Sequence, residues 1–314
     1  MASFNHRHSD AALANGKDDF LEHMEGMAEA EETMKSRPLL VKAYAMDDPE
    51  APSLSNNNNN SDDNSDDDNN NNCVVKHVHF VRHGQGFHNL MADLAKEAGV
   101  VWENCTNTPE NPYVMPEISD APLTAKGREQ AALLQPVVAA LKKAQKAPQL
   151  VVLSPNCRAL QTGVIAFREL LAEREDAATV ADAAVGDENA LDANVPFLAH
   201  EMVREETGVH VCDKRRPTSQ QASEFPMVDF SLLTDEEDTI FQHDKRETKA
   251  ELTERIYKFF EWLETRDESI VGVSSHSAWL LAVFNANLQI TNEDLKGWFQ
   301  TGEMRSVVLE FVRS

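Results

Sequence analysis

The sequence predicts an α/β fold with a largely parallel central sheet. Two observations carry that expectation. From Val74 onward, short apolar runs rich in β-branched residues alternate with stretches of helical periodicity. Three of those runs end where a helix begins, as a parallel strand does when it hands over to its crossover.

Taken in order, residues 1–37 are polar with mixed charge. Glu22, Glu25, Glu29, Glu31 and Glu32, interleaved with Met24, Met27 and Met34, suggest a short helix in an otherwise poorly ordered region. His6, His8 and His23 lack ligand-like spacing for a metal. Residues 38–50 contain the more apolar Pro38–Pro49 and are expected to dock on the domain as a strap. Residues 51–73 read as a disordered linker. Ser55 to Asn72 is only Ser, Asn and Asp and has no apolar area to offset chain entropy. Residues 74–314 form the expected globular domain.

Strands are expected at Val74–Val81, Leu150–Leu153, Phe197–Val203, Ile270–Ser274 and Ser306–Val312. Thr124 is a good N-cap for a helix to about Lys146, kinked at Pro136. Arg158 to about Glu173 carries Leu160, Val164, Phe167, Leu170 and Leu171 on one face. Glu247–Thr265 does the same with Leu252, Ile256, Phe259, Phe260 and Leu263. Ser277 to about Asn287 is apolar all round and expected to be buried. Tyr113–Asp120 and Asp213–Thr239 read as long excursions of the kind that wall a site.

The formal net charge is -24 and the pI near 4.8. That argues against nucleic acid as a partner, while leaving room for a local cationic pocket. Cys73, Cys105, Cys157 and Cys212 form no CxxC pair and read as reduced intracellular thiols. No run is apolar enough to span a membrane, and the N-terminus lacks a secretory layout. The expected compartment is the cytoplasm, with the nucleus as the alternative.

Four places carry candidate chemistry. Lys76–Asn89 runs as a strand into Arg82-His83-Gly84, where a guanidinium fork lies beside an imidazole. Alone, this fits a surface pair as well as an anion site. Leu153-Ser154-Pro155 ends a strand and opens a helix with Arg158 in its first turn. A cation there opposes the helix dipole, so it needs another reason to be present. Val271–Ser277 ends a third strand in His276, and Val203–Gly208 ends an apolar run in a carboxylate pair.

In this order the four signals resemble the histidine phosphatase superfamily, the phosphoglycerate-mutase-like fold, over about Val74 to Val312. The family's Arg-His-Gly-x-x-x-x-Asn is Arg82-His83-Gly84 with Asn89. Its Leu-Thr-x-x-Gly-x-x-Gln is Leu123 to Gln130. Its Ser-Pro-x-x-Arg-x-x-Gln-Thr is Ser154 to Thr162, and its second histidine is His276. Met46–Pro49, Arg204–Pro217 and Gly302–Ser306 look like the plant and fungal phosphoglycerate-mutase-like phosphatases.

The resemblance implies a three-layer αβα architecture and a phosphohistidine mechanism. His83 is then the nucleophile, with Arg82, Arg158 and His276 around the phosphoryl oxygens. Asn89, with Gly84 and Gly86, adds phosphate contacts. Glu205 is the general acid, and Glu201 and Glu206 compete for that role. No metal and no cofactor are called for. Gly86 departs from the family pattern, which commonly has Ser or Thr there, so a hydroxyl contact is missing or is supplied by the Gly86 N–H. His88 is not part of the general motif; it lines the pocket or packs. Lys214, Arg215 and Arg216 either clamp a second anionic group of the substrate or form structural salt bridges. The leading expectation is a metal-independent phosphomonoesterase acting on a small phosphate ester. A cofactor-dependent phosphoglycerate mutase is the alternative, and a non-catalytic phospho-ligand scaffold is another. Substrate identity and oligomeric state are not readable from the sequence.

Overall fold

The computed structural model describes residues 24–313 except 25, 55–72, 104–105 and 172–194. Glu22, Glu25, His6, His8, His23, the Ser55–Asn72 tract, Cys105 and the last two positions of the helix expected to Glu173 lie outside the described residues.

The chain runs α1 (Met27–Lys35), β1 (Leu39–Ala45), β2 (Val74–Arg82), α2 (Phe87–Glu97), α3 (Ala125–Ala132), α4 (Gln135–Lys143), β3 (Leu150–Leu153) and α5 (Cys157–Ala166). It continues with β4 (Phe197–Ala199), α6 (Thr218–Glu224), α7 (Lys249–Glu264), β5 (Ile270–Ser275), α8 (Ser277–Ala282), β6 (Leu288–Ile290) and β7 (Met304–Arg313). The strands form one sheet in the order β4-β3-β5-β2-β7-β1-β6. Only β7 runs antiparallel to its neighbours, β2 and β1.

Alternation along β2 sets the layers. Phe80 points into a cluster with Trp279, Phe284, Phe259 and Ile256, from α7, α8 and the turn after it. Its neighbour Val81 points into the opposite cluster with Val138, Leu141, Leu160 and Phe167, from α4, α5 and the turn that follows. A period of two places successive residues on opposite faces, so the sheet is covered by helices on both sides.

Three elements differ from the sequence expectation for physical reasons. The expected strap is an interior strand: β1 pairs with β7 on one side and β6 on the other. Leu39, Val41 and Ala43 are buried, while Lys42 and Tyr44 face the other way and both bind Glu310, at 3.1 and 2.8 Å. With α1 also packed into that core through Met27, Ala30 and Met34, the domain begins well before Val74. The long helix expected after Thr124 is two helices. Thr124 caps α3 through the Gly127 N–H, and Pro136 sits in the first turn of α4, where its missing N–H costs nothing. The run Phe197–Val203 is a strand only to Ala199, because His200 Nδ1 accepts the Met202 N–H and turns the chain into a 3₁₀ turn. Among the described residues, no helix is long and apolar enough to cross a membrane.

Candidate active site

β4, β3, β5 and β2 are adjacent and parallel, so their C-terminal ends share one edge of the sheet. Arg82 and His83 leave β2 there, Ser154 leaves β3, and His276 leaves β5 to cap α8.

The loop carrying His83 has its backbone donors fully engaged. From Arg82 to Phe87, successive N–H groups donate to Glu303 O, Ser275 O, Thr162 Oγ1, Gln130 Oε1, Asn89 Oδ1 and Pro122 O, all at 2.8–3.0 Å. Thr162 and Gln130 belong to the second and third motifs, so both are struts for the first. Loop and α3 also interlock at two glycines. A Cβ on Gly127 would lie 2.1 Å from Gln85 O, and one on Gly84 would lie 2.2 Å from Gly127 O. No side chain fits at either point. The N–H groups of Gly84 and Gly86, expected as phosphate contacts, are therefore already donated to Thr162 and Asn89. Asn89 holds this turn at the start of α2 through its Oδ1, which leaves its Nδ2 as the atom able to donate to an anion. An anion here has to be held by side chains.

His83 is 1% exposed. Its Nδ1 lies 2.7 Å from Gly84 O, and a carbonyl only accepts, so Nδ1 carries the hydrogen. That leaves the Nε2 lone pair facing Arg158 Nε at 3.3 Å. Burial, then Arg158 and Arg82, push the imidazole well below its usual pKa, so it is neutral at pH 7. The His276 ring lies 5.1 Å from the His83 ring and the His88 ring 5.4 Å away. His276 Nε2 meets Ser154 Oγ at 2.7 Å. Both second histidines are buried and also pushed well below the usual value, mainly by burial and Arg158.

The two arginines differ. Arg158 donates to Cys212 O and to Asp213 Oδ1, at 2.6 and 2.7 Å. Asp213 is shared with Arg246 at 2.8 Å. Among the described residues, the Arg82 guanidinium donates only to Phe299 O, at 2.6 Å, and stacks near Trp298. Its Nε, with Nδ1 of His88 and of His276, is buried without a hydrogen-bond partner among those residues.

Glu205 sits at the start of α8, beside His276. Its Oε1 accepts the Trp279 and Glu206 N–H groups at 3.0 Å, and its Oε2 accepts Ser277 Oγ and the Ala278 N–H at 3.2 and 3.3 Å. Both competitors are committed elsewhere. Glu206 pairs with Lys249 and Arg246, and Glu201 with Arg204 and Arg215.

A phosphoglycerate mutase-like protein 1 of Arabidopsis thaliana is 34% identical over 243 residues, 74% of this chain and 81% of that protein. The chain belongs to the phosphoglycerate mutase-like family of the histidine phosphatase superfamily. A second phosphoglycerate mutase-like protein of the same plant is 32% identical, over 74% of this chain and 84% of its own. Among solved structures, the ecdysone phosphate phosphatase of Bombix mori with tungstate matches at 18% identity and TM-score 0.40, covering 67% of this chain and 76% of that one. No protein-family model matches.

In this phosphoglycerate mutase-like chain two members of the basic cluster are engaged in ion pairs. Arg215 is buried, binds Glu201 at 2.6 Å and donates to the carbonyls of Asp235, Glu236 and Glu237, so it locks that loop. Arg216 binds Asp120 and Glu224. Lys214 lies 5.8 Å from the Phe241 ring and lines a cavity of about 300 Å³ with Asn107, Pro116 and His243. Sequence reasoning missed Asp213, Arg246 and His210 as parts of the site. His210 packs on Tyr113, ring centroids 4.8 Å apart. Val209 before it has φ +59°, a strained setting for a β-branched residue. The one legible signal was that Tyr113–Asp120 and Asp213–Thr239 read as site-forming loops, and of Asp213, Arg246 and His210 only Asp213 falls within them.

Proposed function

We propose that the protein is a metal-independent phosphomonoesterase that acts on a small phosphorylated substrate through a phosphohistidine at His83. The observation that carries this reading is the neutral His83 imidazole, its Nδ1 tied to Gly84 O and its Nε2 lone pair turned to a buried guanidinium. Nε2 attacks phosphorus and the P–O bond to the leaving group breaks. Glu205 gives its proton to that oxygen, then takes one from the water that opens the P–N bond. Ser277 Oγ can turn from donor to acceptor as the Glu205 carboxyl gains its proton. Arg82, Arg158 and His276 hold the phosphoryl oxygens and supply the charge stabilisation that a metal provides elsewhere.

Hydrolysis is favoured over a mutase by the fate of the basic cluster. A bisphosphate needs a second cationic grip, and Arg215 and Arg216 are spent on Glu201, Asp120 and Glu224. A binding-only scaffold fits poorly with His83, Arg82, Arg158 and His276 standing in one cluster. The test is para-nitrophenyl phosphate hydrolysis with EDTA present, for the wild type and His83→Ala. Wild-type turnover by the variant removes His83 from the chemistry. Conversion of 3-phosphoglycerate with 2,3-bisphosphoglycerate to 2-phosphoglycerate, without phosphate release, replaces the phosphatase with a mutase.

A further inference from the structure

Position 86 and His88 are coupled in space. A Cβ built on Gly86 would lie 2.6 Å from both Cε1 and Nδ1 of His88, and 3.5 Å from Arg158 Cδ. A side chain at 86 would therefore enter the space between His88 and the Arg158 side chain. The Nδ1–Cε1 edge of His88 already borders that space. The ring is held there by the first turn of α2, which Asn89 caps, and by Tyr113, ring centroids 6.3 Å apart. Nδ1 is buried and has no partner among the described residues. An unpaired buried polar atom is uncommon in a folded protein and needs a reason.

We infer that His88 is a phosphoryl-binding residue, with Nδ1–H donating to a phosphoryl oxygen in place of a hydroxyl at position 86. This rests on the phosphatase reading of the same site. A neutral imidazole suits the task, since it donates one hydrogen without adding a third fixed charge beside Arg82 and Arg158. It also accounts for the glycine: with His88 in this place there is no room for any Cβ at 86 that leaves the ring where it is. The two positions act as one unit, a small residue with a histidine two residues on.

The experiment is a mutant cycle, read by kcat and KM for para-nitrophenyl phosphate, by orthovanadate inhibition and by thermal midpoint. His88→Leu should lower kcat/KM by about 10²-fold, weaken orthovanadate in step, and leave the midpoint nearly unchanged. His88→Asn places an amide near the Nδ1 position and should recover most of the loss. His88→Gln, which reaches the Nε2 position, should not. Gly86→Ser alone should be impaired by collision with the ring. The double variant Gly86→Ser, His88→Ala should be more active than either Gly86→Ser or His88→Ala alone. Wild-type kinetics and inhibition in His88→Leu overturn the inference, as does an additive cycle. If His88→Leu does not fold, equal activity of the Asn and Gln variants overturns it instead. His83→Ala, run alongside, separates the two claims. An active His83→Ala defeats the phosphohistidine reading itself; an inactive one with an unaffected His88→Leu defeats only the role of His88.

Discussion

Replacing Gly127 by alanine adds one methyl group well removed from the reacting nitrogen, yet it should disable the enzyme. The new Cβ would stand 2.1 Å from Gln85 O, where ordinary contact starts at 3.4 Å, so the loop or α3 has to retreat by more than an ångström. Neither can do so freely. Gln85 O accepts the Thr124 N–H and Thr124 Oγ1, and Thr124 caps α3. Overpacking of this kind costs about 1–3 kcal/mol, less the ~1 kcal/mol gained from alanine in a helix. At about 2–4 °C per kcal/mol the midpoint should fall by a few degrees. The larger effect should be on rate, because an ångström of misplacement costs about 10²-fold. The loop displaced is the one that fixes His83 through Gly84 O. The assay is kcat/KM with para-nitrophenyl phosphate at a temperature where the variant is folded. Gly297→Ala, with nothing within 4 Å of the added carbon, is the control and should change neither quantity. Wild-type kcat/KM in Gly127→Ala would refute the claim that the α3 interlock aims His83.

Deleting residues 1–54 should abolish soluble monodisperse protein or lower the midpoint by well over ten degrees (about 4 kcal/mol or more), because it strips β1 from between β7 and β6; size exclusion and thermal melting check it. Burial pushes His79 and His200 down to about 4. Their folded pKa lies below the unfolded one, so the unfolded chain binds more protons between about pH 6.5 and 4, and stability must fall as pH drops through that window. For the fully buried His79 the loss is about 3 kcal/mol, and urea midpoints that stay flat from pH 7 to 4 would contradict it. Arg82→Met should abolish activity without lowering the midpoint, and should raise it where the unpaired charge costs stability. Arg158→Met, which breaks the pair with Asp213, should lower it by up to about 3–5 kcal/mol. Equal destabilisation by both would count against an unpaired Arg82.

Two of the strands that face the site, β3 and β5, were legible because each is a short apolar run rich in β-branched residues and stopped by a polar turn. Both segments behave alike in this respect: Leu150–Leu153 and Ile270–Ser275 are buried at every position, so composition alone marks them. β1 was not legible as sheet. Lys42 and Tyr44 break its apolar character, and they make sense only once Glu310 arrives from the far end of the chain. β6 has three residues, too few for any period. At the site, residue types and order singled out His83, Arg82, Arg158, Glu205 and His276, which the fold gathers at one edge of the sheet. Bonding was out of reach. Whether Arg215 meets a substrate or Glu201 depends on how residues 235–237 fold back over it, and no local pattern encodes that.

The charge of the chain takes on meaning in this light. An acidic protein can host an anion site if its buried arginines are sorted into paired and unpaired. Arg204 is held by Asp238, Arg246 by Asp213 and Glu206, Arg215 by Glu201, and Arg305 by Glu303. Those guanidiniums are neutralised where they stand and act as struts. Arg82 has no ion pair among the described residues, and Arg158 shares its single aspartate with Arg246. Removing a guanidinium from water without a counter-charge costs stability. The rest of the fold bears that cost, so most of the desolvation precedes substrate. A phosphoryl dianion entering beside His83 would meet a cation already largely stripped of water, and pairing would return part of what folding spent. The same argument predicts selectivity: a neutral ester would leave Arg82 unpaired and gain none of this.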